Sequence, residues 1–128
     1  MKRSTFLLIT AIIALIFGGM MLLVPDKASE GFGLVATPES NLLFRSLGGL
    51  ILGSGVLNFL VRAHEDSKTL QAVLIFNVVF HAISMANDFL GAYQGILRFD
   101  KIIPGQSVHL FIGIGSIIYL MRMKGAKG

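Results

Sequence analysis

Asn77, His81, Ser84 and Asp88 follow one another at intervals of four, three and four residues. On a helix that spacing puts an amide, an imidazole, a hydroxyl and a carboxyl on one face. Groups of these types exchange protons, orient one another by hydrogen bonds, or hold the polar end of a ligand. All four lie in an apolar run, and Arg45 and His109 lie in two other such runs. Ionisable groups in runs of this kind are costly in lipid unless they point inward, so they are the first functional candidates. Asn58, Asn87 and Ser116 accompany them, and Leu70 and Leu74 extend the Asn77–Asp88 stripe, which must therefore face other helices.

The elements that position these groups follow from composition. The chain has 128 residues, of which 54% are apolar and 14% charged, where ordinary soluble domains carry roughly 25% charged residues. Too few polar side chains remain to cover a soluble surface, and lipid removes that need. A bilayer core requires about 20 mostly apolar residues per helix. Four runs qualify: about 4–24, 38–61, 69–92 and 104–121. The expected fold is all-α, a single integral membrane four-helix bundle over 1–128. Thr37 and Pro38 supply an N-cap and a first helical residue, and Pro104 is expected to open the fourth helix. Lys2 and Arg3 before the first run give it the start of a signal peptide, but the run is long and ends in Met20–Pro25 without a small-residue cleavage pattern, so a retained helix is expected.

Charge sets the orientation. Lys2, Arg3, Arg62, Lys68, Arg122, Lys124 and Lys127 fall on one side, and Lys27, Arg98 and Lys101 on the other. This seven-to-three bias predicts cytoplasmic termini in a multi-pass cell-membrane protein, most simply the bacterial inner membrane. The outer loops are then Asp26–Thr37 and Tyr93–Ile103, the second lying along the headgroups. At 1.5 Å per residue, Arg45, Asp88 and His109 fall within about 12 Å of the outer boundary, with His81 deeper. They can form one polar cluster, with Arg45 and Asp88 as its natural ion pair. The same residues also satisfy a purely structural reading, in which glycine-rich helices pack closely through Gly48, Gly49, Gly53, Gly55, Gly113 and Gly115 and the polar groups pin them.

Several functions lack their signature. There is no cysteine, no phosphate loop, no nucleotide fingerprint and no nucleophile elbow. The basic residues form no stripe with interleaved aromatics, as nucleic-acid binding would want. His81 and Asp88 are two turns apart and His109 adds one nitrogen, a weak basis for a metal. The inner half offers mainly Asn58 and Gln71, against a continuous path for a channel or carrier.

The stretch Leu43-Phe44-Arg45-Ser46-Leu47-Gly48, followed by Lys68-Thr69-Leu70 and His81-Ala82-Ile83-Ser84, resembles part of the ergosterol-biosynthesis scaffold protein family. The chain as a whole is similar to small bacterial four-helix membrane proteins and more distantly to the DoxX-like group. The scaffold resemblance covers about 43–92 and carries over Arg45, Gly48, His81 and Ser84; Asp88 and His109 fall outside its pattern. It implies a non-catalytic membrane scaffold or accessory subunit that organises other membrane proteins. The expected function is such an organiser, with a lipid or isoprenoid pocket in the outer half lined by Arg45, Asn77, His81, Ser84, Asp88 and His109. It requires no cofactor, metal or nucleic acid, and homo-oligomers through the glycine-rich faces fit it. The alternative is a small membrane enzyme or hydrophobic-ligand binder using His81, His109 and Asp88.

Overall fold

The computed structural model describes residues 1–123, so the predicted inner charges Lys124 and Lys127 lie outside the described residues. Its helices are α1 (Arg3–Leu23), α2 (Pro25–Gly31), α3 (Pro38–Val61), α4 (Lys68–Tyr93) and α5 (Phe99–Arg122). All but α2 are long and apolar enough to cross a membrane, with mean hydropathy of 1.4 to 2.7 over their most apolar stretches. Most large apolar side chains on their outer faces are exposed, the arrangement lipid permits and water penalises.

The helices associate as two antiparallel pairs, α1 with α3 and α4 with α5. Backbone proximity builds the first pair. A methyl group on Gly48 would stand 2.8 Å from the Gly18 carbonyl oxygen, and one on Gly18 would stand 2.8 Å from that of Gly48. One helical turn pair further along, Gly55 faces Ala14 and Ala11. Gly49 and Gly53, also expected to let helices pack closely, make no such contact: both positions have open space where a side chain would begin. Close approach belongs instead to Gly48 and Gly55, seven residues apart on the buried side of α3.

The two pairs meet mainly at one end, called here the terminal end because α1 starts and α5 stops there. Phe6, Leu7, Val61, Leu70, Leu74 and Ile112 form its core. Asn58 and Asn77 bolt α3 to α4 through reciprocal amide bonds: Asn77 Nδ2 donates to Asn58 Oδ1 at 2.8 Å, and Asn58 Nδ2 to Asn77 Oδ1 at 3.2 Å. Arg3 donates to the Asp66 carboxylate and to the His64 carbonyl, tying α1 to the 62–67 turn. Beyond Asn77, α4 has no fully buried residue. The pairs part there, toward the loop end.

Local signals explain most helix limits. Thr37 is the N-cap and Pro38 the first helical residue, as the sequence predicts, and Ser40 adds a reciprocal bond back to Thr37 that completes a capping box. Two expectations about the loops are corrected. Residues 25–31 form a short helix whose Ala28 and Ser29 are buried over the first pair. The fourth long helix starts at Phe99, not Pro104. Pro104 removes one intrahelical hydrogen bond near the start, yet Ile102 ahead of it is fully buried, and that burial holds the first turn in place. The second loop thus shrinks to 94–98, a tight turn in which Gly95 has φ +72° and Gly91 O accepts from the amides of Ile96 and Leu97. Leu97 folds onto Gly91, where a methyl group would stand 2.9 Å from its side chain.

Candidate functional site

Where the pairs part, a cavity of about 360 Å³ opens among α1, α3, α4 and α5. Small-molecule pockets commonly fall between about 300 and 1,000 Å³. Its walls are chiefly apolar: Ile13, Phe17 and Met21 from α1, and Phe44, Leu47 and Ile51 from α3. Phe32, Leu34 and Leu97, from the two loop-end connections, also line it. The connections touch near the mouth, where Gly33, at φ +78°, lies against the Arg98 and Lys101 side chains.

One wall is polar. His81, Ser84, Asn87 and Asp88 of α4 and His109 of α5 all border the cavity. The two imidazole Nδ1 atoms lie 2.7 Å apart, so one donates a proton and the other accepts it. Asp88 Oδ2 accepts from Gln106 Nε2 at 2.7 Å and stands 3.8 Å from His109 Nε2. An ionised Asp88 favours hydrogen on His109 Nε2, which leaves His109 Nδ1 as the acceptor and His81 Nδ1 as the donor. In that tautomer His81 Nε2 carries a lone pair with no partner among the described residues. Ser84 is already engaged, donating to the Phe80 carbonyl at 2.9 Å. Across the cavity, the buried Thr10 hydroxyl has no partner among the described residues.

The structure thus joins four of the six predicted site residues: His81, Ser84, Asp88 and His109. Asn77 lies on the same face of α4 but is consumed by Asn58 below the cavity. Arg45 does not join them, and its expected pairing with Asp88 is corrected. Successive helical residues are about 100° apart, so Phe44 faces the cavity while Arg45 turns away; it is exposed on α3 and forms no ion pair among the described residues. Gln106 and Thr10 were not foreseen. Gln106 stands three residues before His109 on the same face, and both lie inside the expected fourth run, so the i, i+3 spacing was a readable signal. Thr10 is the one hydroxyl-bearing residue of α1 beyond Ser4 and Thr5 in its first turn. Among the described residues, no three His, Cys, Asp or Glu side chains converge as metal ligands would.

No protein-family model, curated protein or solved structure matches this chain.

Proposed function

We propose that the chain is a membrane-embedded binder of a hydrophobic molecule that ends in a hydroxyl group. The four long helices span the cell membrane with both termini cytoplasmic, which places the cavity in the outer half of the bilayer. The carrying observation is the combination of an apolar cavity with a polar wall on which His81 and His109 share one Nδ1–Nδ1 hydrogen bond; with His81 Nδ1 as the donor, His81 Nε2 is left as an acceptor. An alcohol donates to it. A carboxylate or phosphate head finds no cation on that wall and meets Asp88 instead. Long-chain and isoprenoid alcohols are the ligand class that fits.

Binding of farnesol, farnesyl phosphate and palmitate to the purified protein in nanodiscs tests this. Farnesol binds, the two anions do not, and His81→Ala weakens farnesol by roughly five- to tenfold, the worth of one hydrogen bond. Equal affinity for farnesol and palmitate, or an unchanged farnesol affinity in His81→Ala, would overturn the proposal.

One observation favours a second reading, the organiser implied by the family resemblance. The α3 face bearing Arg45, Gly49 and Gly53 is open and exposed, and small residues let another membrane helix approach closely. Under that reading Gly49→Ile abolishes co-purification of a partner or second copy and leaves farnesol binding intact.

A further inference from the structure

A second recess lies on the outer surface of α1 and α5, separated from the cavity by the core. It encloses about 400 Å³. Its floor is the Phe6 ring, which packs against Phe111 and Tyr119 with ring centroids 5.6 and 5.1 Å away. Gly115 creates the depth, since a methyl group there would overlap the Phe6 ring. The walls are apolar along α5, and at the terminal end the groove finishes at Arg122.

Length and charge together name an occupant. From Leu110 to Arg122 the α5 lining spans twelve helical steps, about 18 Å at 1.5 Å per residue. One leaflet of a hydrocarbon core about 30 Å thick is about 15 Å deep. The groove therefore has the reach of one acyl chain, from mid-bilayer to the surface. Arg122 stands where that chain's phosphate would lie, is exposed, and forms no ion pair among the described residues. We infer that this groove is a binding site for an acyl chain of an anionic phospholipid, its phosphate held by Arg122. The inference rests on the membrane-spanning reading but not on the cavity's ligand.

The chain contains no tryptophan, so a single introduced indole reports on one place. Phe111→Trp puts it in the groove, and Ile114→Trp serves if that variant fails to fold. Val79→Trp puts it on an exposed face of α4 as a reference. Each protein is reconstituted into vesicles of equal phosphatidylcholine and phosphatidylglycerol, with one or the other lipid dibrominated in its chains. Quenching at the groove should show phosphatidylglycerol preferred about fivefold, the attraction expected of one basic side chain near an anionic lipid surface. Arg122→Gln should bring the ratio to about one, Arg122→Lys should restore most of it, and Val79→Trp should show no preference. A groove indole quenched equally by both lipids overturns the site while leaving the spanning reading intact. A groove indole shielded from both lipids, with Val79→Trp still quenched, overturns it in favour of a second copy of the chain. Absence of quenching at both positions overturns the spanning reading together with the site.

Discussion

Replacing Asn58 by leucine keeps the branched heavy-atom skeleton and removes every polar atom. In the folded chain Asn58 and Asn77 exchange two bonds across the α3–α4 seam, and both side chains are essentially inaccessible. Asn58→Leu deletes both bonds, at about 0.6 kcal/mol each for interhelical hydrogen bonds in membranes, or about 1.2 kcal/mol together. It also strands the Asn77 carboxamide in an apolar setting, which costs a further 1–3 kcal/mol or so. The single change should therefore destabilise by about 2–4 kcal/mol, and Asn77→Leu by a similar amount. Asn77→Leu is slightly milder, because Asn58 keeps its bond to the Ser54 carbonyl at 2.8 Å. Converting both to leucine strands nothing, so the double variant should lose only about 1 kcal/mol. Steric trapping in mild detergent, with biotin tags on α1 and α5, gives each free energy. A double variant whose loss equals the sum of the two single losses would mean that the amides do not meet, and the seam assigned here would be wrong.

Gly48→Ala should cost about 1–3 kcal/mol, because its methyl group would sit 2.8 Å from the Gly18 carbonyl oxygen and force two backbones apart. Gly53→Ala, with open space at that position, should be neutral or stabilising by up to about 1 kcal/mol in the same assay. Arg45→Leu and Asp88→Leu should add within about 0.5 kcal/mol, since the two residues share no partner; a strong recovery in the double variant would restore the ion pair. The native chain has no cysteine, so Lys27→Cys should react with an impermeant maleimide on intact cells and Glu65→Cys should not; the reverse pattern would invert the orientation.

The spans were legible because hydropathy accumulates along the chain and does not depend on what packs against it. The start of α3 at Thr37 and Pro38 was legible for a similar reason, since that signal is local, whereas the reciprocal bond from Ser40 was not foreseen. The meeting of His81, Asp88 and His109 also followed from sequence: helical spacing fixed their common face, and depth within the spans fixed their common level. Arg45 shares that level, and nothing local reveals that it points elsewhere. The rotation of α3 about its axis is set by Gly48 and Gly55 seating on Gly18, Ala11 and Ala14 of α1, and that contact turns Phe44 to the cavity and Arg45 outward. Gly49 and Gly53 have the better-known spacing, yet the partner helix selected the other pair. The start of α5 was decided in the same way, by burial of Ile102 against the intrinsic preference of Pro104 to open a helix. Sequence alone thus marked the four runs that form helices long and apolar enough to cross a membrane. Rotation about each helix axis, and with it the cavity, depended on side chains brought together from distant parts of the chain.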